Sequence, residues 1–169
     1  MRKFFAISSV LTIFVASLIS ASADNANFAG TWVLDKAKSG ELPRGWQNAE
    51  SVTWMVKQEG GQLVIEPQIT GGQGPGGGQP VTYKLDGSET TADVNLGQAT
   101  GKATRKVKWM NEGKTLELNS VTNAEFQGNP VTITTVEHWE LGEGGVLKVH
   151  RKTQSPRGEQ EFNFVFTKK

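Results

Sequence analysis

The sequence of 169 residues contains no cysteine, only two histidines and a single tyrosine. The lack of cysteine excludes disulfide bridges, thiolate metal sites, a thiol nucleophile and a lipid anchor attached through cysteine. The sequence also has neither a Gly-x-Ser-x-Gly elbow nor a His-Glu-x-x-His motif, so it offers no familiar nucleophilic or zinc-dependent catalytic set. We therefore predict no catalytic residue, no metal and no cofactor.

A long apolar run is found only near the start of the chain, over residues 4–19. It follows a basic pair and precedes the small residues Ala-Ser-Ala, which is typical of an export signal cleaved after Ala23. The run is too short and too rich in serine and alanine to make a good membrane span. We predict a signal peptide over 1–23, a single domain over 24–169, a periplasmic or secreted location and no stable membrane insertion.

A concentrated basic region is also lacking. Without the two basic residues of the predicted signal, 16 of the 18 basic residues remain, against 17 acidic ones. The densest basic cluster, over residues 102–108, lies on a predicted strand and therefore projects to both faces of the sheet. Nucleic-acid binding, which usually needs one basic face, is not expected.

The rest of the chain alternates apolar and polar residues with a period of two, interrupted by glycine-containing turns. This pattern predicts antiparallel strands joined by hairpins. Two connections are longer: an irregular one over residues 36–50, and a Gly-rich loop over 71–79 that lacks the Gly-Lys-Ser/Thr ending of a phosphate-binding loop. A long meander avoids exposed edges by closing on itself. We predict an all-β fold, a single antiparallel up-and-down β-barrel of about 8–10 strands.

The turns also predict which residues face each other across the hairpins. The predicted turn positions are Gly60–Gly61, Glu112–Gly113, Gln127–Gly128, 142–145 and Arg157–Gly158. With these turns one face stays mostly apolar on successive strands, and a slip of one residue would move every side chain to the other face. The last turn is predicted to place Arg151 beside Phe164.

A few polar side chains interrupt the predicted inward face. They are Arg105, Ser120, Thr135, Glu137 and Arg151. Glu137 is expected to face Arg151, which leaves Arg105 without a partner, and an unpaired charge inside a barrel costs several kcal/mol. Arg105 either anchors a carboxylate or phosphate group of a ligand or reaches solvent at the open rim.

Aromatic side chains are the other candidates for ligand contact. On the predicted inward face they are Trp54, Tyr83, Trp109, Trp139, Phe162, Phe164 and Phe166. They line a cavity if the barrel is hollow and fill it if the barrel is small. Trp46 lies in the irregular connection, where a residue covering the mouth could be placed. His138 and His150 are expected to face each other on the outer surface, as solvated polar residues rather than metal ligands.

The first predicted strand reads Phe28-Ala29-Gly30-Thr31-Trp32-Val33-Leu34-Asp35. A Gly-x-Trp opening in a cysteine-free all-β chain resembles the calycins, which include lipocalins, fatty-acid-binding proteins and avidin-like barrels. Together with the following Lys-Ala-Lys-Ser, the segment is similar to secreted bacterial lipocalin-like proteins. The resemblance implies a cup for a small ligand. It also implies that Gly30 and Trp32 lie at the closed end, with a basic side chain of the last strand, here Lys168, stacked on Trp32.

We therefore expect an exported carrier or binding protein that reversibly binds a small hydrophobic or amphipathic molecule. The residues expected to orient its polar group are Arg105, Arg151, Glu137, Ser120 and Thr135. Those expected to contact its apolar body are Trp54, Trp109, Trp139 and Phe164. Two alternatives stay open: a filled barrel that acts through its loops as an envelope-associated interaction or inhibitor module, and an isomerase or hydrolase of lipid-like substrates that uses Glu137. The sequence predicts no particular protein partner.

Overall fold

The computed structural model describes residues 25–71, 78–96 and 99–169, so the predicted signal peptide and the centre of the Gly-rich loop lie outside it. Ten strands make up most of the described chain. Their bounds are β1 Gly30–Leu34, β2 Ser51–Glu59, β3 Gln62–Thr70, β4 Val81–Lys84, β5 Thr90–Asn95, β6 Thr100–Met110, β7 Thr115–Phe126, β8 Asn129–Gly142, β9 Val146–Ser155 and β10 Gly158–Lys168. One turn of helix, α1 (Arg44–Gln47), follows β1, and a 3-10 turn (Asn111–Gly113) joins β6 to β7. None of the helices in the described ranges has the length and apolar character needed to cross a membrane.

The strands form one antiparallel sheet in the order β4-β3-β2-β1-β10-β9-β8-β7-β6-β5. Its two edges, β4 and β5, come together and leave a seam. No strand ladder spans this seam among the described residues. Instead the hydroxyl of Thr90 donates a hydrogen bond of 3.1 Å to the carbonyl of Thr82. The predicted all-β, up-and-down architecture is confirmed, as a nearly closed ten-stranded barrel.

The registers predicted from the first four turns are confirmed. Val56 faces Ile65, for example, and Glu137 faces Arg151. Each of these hairpins alternates inward apolar and outward polar side chains, so a register shifted by one residue would bury polar side chains. The inward-facing set, which forms the core and lines the interior of the barrel (the lumen), is therefore the predicted one.

The predicted register of the last hairpin is wrong by two residues. Arg151 faces Phe162 rather than Phe164, because the turn consists of Pro156 and Arg157 instead of Arg157 and Gly158. Proline suits this turn, since its φ is preset and it has no N–H to donate to a ladder. A shift by two keeps every side chain on its face, so Phe164 still points inward.

The closed end is sealed by the segment just before β1. Phe28 is fully buried, and its ring centroid lies 6.2 Å from that of Trp109 and 5.8 Å from that of Trp139. Its carbonyl accepts a 2.8 Å hydrogen bond from Trp32 Nε1. The side-chain amide of Gln58 accepts another from the Phe28 N–H, also at 2.8 Å. The chain thus plugs its own base, and any internal cavity must open toward the other end.

The segment around α1 covers part of the open end, and we call it the lid (residues 41–50). Trp46 of the lid packs edge-on against Trp54 of the barrel wall, with 6.1 Å between ring centroids. The ammonium group of Lys36 donates to the carbonyls of Gln47, the last residue of the helical turn, and Ala49. The predicted irregular connection is therefore held in place by Lys36 and by the packing of Trp46 against Trp54 and Phe164.

Candidate functional site

A buried ion pair lies in the lumen between β8 and β9. Glu137 is 9% exposed, and both of its carboxylate oxygens are occupied. Oε1 accepts from Arg151 Nε and Oε2 from Trp139 Nε1, each at 2.7 Å. The register explains the arrangement, since Glu137 faces Arg151 and shares the inward face with Trp139, two residues away. The pair is neutral as a unit, and its carboxylate needs no further donor.

Aromatic rings surround the guanidinium group of Arg151. Its Cζ lies 5.5 Å from the ring centroid of Trp46, 5.6 Å from that of Trp54 and 5.1 Å from that of Phe164. A cation over an aromatic face is stabilised by about 0.5–2 kcal/mol, more when water is excluded. Arg151 therefore links the lid to the barrel wall as well as neutralising Glu137.

Arg105 is the other inward arginine, and it is 8% exposed. It has no ion pair and no side-chain hydrogen bond to any residue of the described chain. Arg105 lies on β6 and faces Ser120 on β7, and Ser120 in turn faces Thr135 on β8. The hydroxyls of Thr135 and Thr153 lie 3.3 Å apart. We call Ser120, Thr135 and Thr153 the hydroxyl row, which continues from Arg105 across three strands.

Tyr83 faces the lumen from β4 and is 6% exposed. Its hydroxyl has no hydrogen-bond partner among the described residues. Burial raises the pKa of Tyr83 above its ordinary value, and the negative charge of Glu137 raises it further, while the positive charges of Arg105 and Arg151 act in the opposite direction.

Two cavities open into the lumen, and every strand residue that lines them belongs to the inward-facing set. The lid-side cavity has a volume of about 280 Å³, and its lining includes Trp46, Trp54, Ile69, Tyr83, Glu137, Trp139 and Arg151. The mouth cavity has about 400 Å³, and its lining includes Leu96, Ala99, Ala124, Phe126, Val131, Ile133 and Thr153. Small-molecule pockets in proteins typically have about 300–1,000 Å³ and mostly apolar walls. The barrel is therefore neither a wide cup nor a completely filled core.

The structure places the residues of the predicted site in three groups. Trp54, Trp139, Glu137 and Arg151 line the lid-side cavity, and Phe164 lies next to it, 4.8 Å from Trp46 between ring centroids. Arg105, Ser120 and Thr135 line neither cavity, and they face one another in a row that continues to Thr153 in the wall of the mouth cavity. Trp109 lies apart, stacked on Phe28 at the closed end and lining neither cavity.

Two further aromatic residues line the lid-side cavity, Tyr83 and Trp46. Tyr83 was predicted to face inward from its alternation on β4, and Trp46 was a candidate for covering the mouth. Trp46 lies in a four-residue helix that contains a glycine, and nothing in that short segment indicates that its side chain reaches Arg151. Its position depends on contacts with strands far away in the sequence.

The geometry at the closed end agrees with what the Gly-x-Trp resemblance implies. Lys168 faces Trp32 in the β1–β10 ladder, and its Nζ lies 5.4 Å from the Trp32 ring centroid. Gly30 has a φ of +143°, and a Cβ at this position would lie 2.5 Å from Lys168 Cε. Only glycine fits both this backbone conformation and the crossing lysine.

The two histidines face each other on the outer surface, as predicted. Their rings are stacked with 6.1 Å between centroids, and each Nε2 is turned to a glutamate, His138 to Glu117 at 3.1 Å and His150 to Glu161 at 2.8 Å. The hydrogen bond from His150 lowers the pKa of Glu161. No cluster of histidine and acidic side chains in the described ranges has a geometry that would hold a metal ion.

Comparison of the chain with protein-family models, curated proteins and solved structures found no match to any of them.

Proposed function

We propose that this protein reversibly binds a small amphipathic molecule in its lumen, as an exported carrier or binding protein of calycin type. The observation that carries the proposal is an inward arginine, Arg105, that is 8% exposed, has no partner in the described chain and begins the hydroxyl row, whose last member, Thr153, lines the mouth cavity. A buried charge is costly unless an opposite charge accompanies it. A ligand that brings an acceptor to Arg105 and apolar surface to the cavities would remove that cost.

The alternatives account for fewer of the observations. A filled barrel that acts only through its loops gives no reason for an unpaired cation in the interior. An enzyme that uses Glu137 as acid or base needs a carboxylate oxygen free to exchange a proton with its substrate. Arg151 and Trp139 occupy both oxygens at 2.7 Å. The signal peptide, which lies outside the described residues, supports the export part of the proposal through its sequence alone.

The test is displacement of a fluorescent apolar probe, such as ANS, by a series of single-chain amphiphiles, with native mass spectrometry to give the stoichiometry. We expect one molecule per chain. Ala124→Phe places a ring into the mouth cavity and should weaken binding, while Glu125→Phe, on the exposed outer face of the same strand, should not. If no amphiphile binds the wild-type protein, the carrier proposal is wrong and the loop-mediated alternative gains support.

A further inference from the structure

The segment before β1, residues 25–28, is held at the closed end of the barrel in the way that a bound peptide is held, and we call it the base segment. The N–H of Ala26 donates to the carbonyl of Gly113 at 2.8 Å. The carbonyl of Ala26 accepts from Gln58 Nε2 at 2.9 Å, and Gln58 Oε1 accepts from the Phe28 N–H at 2.8 Å. One side-chain amide and one carbonyl of the barrel therefore bind three backbone groups of the base segment.

Packing holds both ends of the base segment as well. Asn25 lies against the buried Gly113, since a Cβ added to that glycine would be 3.1 Å from the Asn25 Cα. At the other end, Phe28 is fully buried against Trp109 and Trp139. Taking a phenylalanine ring out of such a site is costly. The base segment of the folded barrel therefore leaves its site only through a rare local unfolding.

The base segment begins almost directly after the predicted processing site. Removal of the signal cuts the bond between Ala23 and Asp24, and only Asp24 and Asn25 separate that bond from Ala26. A chain spans at most about 3.6 Å per residue, so the bond lies no more than about 10 Å from the anchored N–H of Ala26. Proteolysis needs exposed and unbonded backbone around the bond. In the folded barrel, the residues that follow the bond do not meet this requirement.

The partners of the base segment come from distant parts of the chain. Gln58 lies on β2, Gly113 in the turn between β6 and β7, and Trp139 on β8. A chain that crosses a membrane with its N-terminus first cannot complete this site before Trp139 has crossed. Contacts between residues so far apart in the sequence also form slowly compared with local ones. The bond after Ala23 is therefore accessible throughout most of the export of the chain.

We infer that folding of the barrel closes the predicted processing site, so that the signal must be removed before the base segment docks. A chain that folds with residues 1–23 still attached keeps them. The inference rests on the export part of the proposed function and adds the order in which processing and folding occur. The base segment thus has two roles, as the sequence that follows the cleaved bond and as the seal of the closed end.

The experiment measures how fast purified bacterial signal peptidase, in detergent, removes residues 1–23 from the folded full-length chain, with mass spectrometry as the readout. A synthetic peptide of residues 1–30 gives the rate at the same bond without the barrel. Cleavage of a folded chain follows the population of its open form. Because opening exposes Phe28, the folded chain should be cut at least about 100-fold more slowly than the peptide.

Two kinds of variant test the cause of the slow cleavage. Six Gly/Ser residues inserted between Asp24 and Asn25 move the bond up to about 20 Å further from the barrel and should bring the rate within a few-fold of the peptide rate. The same insertion before Gly128, in an open turn at the other end of the barrel, is the control and should leave cleavage slow. Gln58→Leu removes two hydrogen bonds to the base segment and should speed cleavage, whereas Gln62→Leu, at an exposed position, should not.

The outcomes separate this inference from the proposed export. If the folded chain is cut as fast as the peptide, the inference is wrong while export stands. The same conclusion follows if the insertion after Asp24 does not raise the rate, or if Gln58→Leu is cut no faster than the wild type. If neither the peptide nor the full-length chain is cut after Ala23, the export part of the proposed function is itself wrong.

Discussion

The Glu137–Arg151 pair allows a quantitative test of the lumen chemistry. Arg151→Met removes the 2.7 Å contact and leaves a carboxylate whose side chain is only 11% exposed. Removing one partner of a buried pair typically costs about 3–5 kcal/mol, because the remaining charge is uncompensated. At about 2–4 °C per kcal/mol for a domain of this size, the melting temperature should fall by roughly 6–20 °C.

Thermal melting gives the melting temperature, and urea denaturation followed by tryptophan fluorescence gives the free energy of unfolding. The double variant Arg151→Met/Glu137→Gln should recover most of the lost stability, since a neutral amide can still accept from Trp139 and carries no charge to bury. Lys152→Met breaks an exposed pair on the adjacent outward position and should leave the stability nearly unchanged. A single variant no less stable than Lys152→Met would refute the reasoning. A double variant as unstable as the single one would assign the loss to the aromatic contacts of the guanidinium group instead.

Three further predictions concern the base of the barrel and the lumen. Gly30→Ala should destabilise the protein by about 1–3 kcal/mol, because of the positive φ and the clash with Lys168, and thermal melting measures this. Phe28→Ala should lower the free energy of unfolding, measured by urea denaturation, by about 3–5 kcal/mol. Phe126→Ala is the control and should lower it far less, because Phe126 is already 37% exposed. Equal losses in the two variants would contradict the role of Phe28 as a plug at the closed end. Burial raises the pKa of Tyr83, the single tyrosine, so its contribution to stability is present below about pH 10 and is lost as the pH rises further. An ultraviolet titration should show no phenolate at pH values where a free tyrosine ionises, and Tyr83→Phe should remove the alkaline loss of stability.

The strand registers were predictable because two independent signals agree in each hairpin. A glycine-containing turn sets the pairing, and the alternation of apolar residues on both strands either matches it or does not. Glu137 could be placed opposite Arg151 in this way, across a loop of odd length. The register of the last hairpin was predicted wrongly because Pro156 and Arg157 form its turn, and in the sequence this pair is a weaker turn signal than Arg157-Gly158. Both turns preserve the inward face, so the alternation could not distinguish them.

The lid and the cavities were not predictable from local patterns. Trp46 reaches Arg151 because Lys36 and the barrel wall hold a helical turn that has little intrinsic tendency to form. Trp109 has the same inward parity as Arg105, yet the plug formed by Phe28 places it in a filled base. Whether an inward residue lines a cavity depends on how closely residues of other strands approach it. The two-residue alternation predicts which face a side chain is on, but it does not predict the distance to side chains on other strands.

Arg105 links the stability of the barrel to its proposed function. If the protein had been selected for stability alone, an apolar residue at this position would pack against the hydroxyl row without the cost of an uncompensated charge. We therefore expect Arg105→Met to raise the melting temperature of the ligand-free protein while it weakens the binding of anions, a combination that a structural role does not produce. A fall in melting temperature without ligand would mean that the guanidinium stabilises the barrel itself. The carrier proposal would then lose the observation on which it depends.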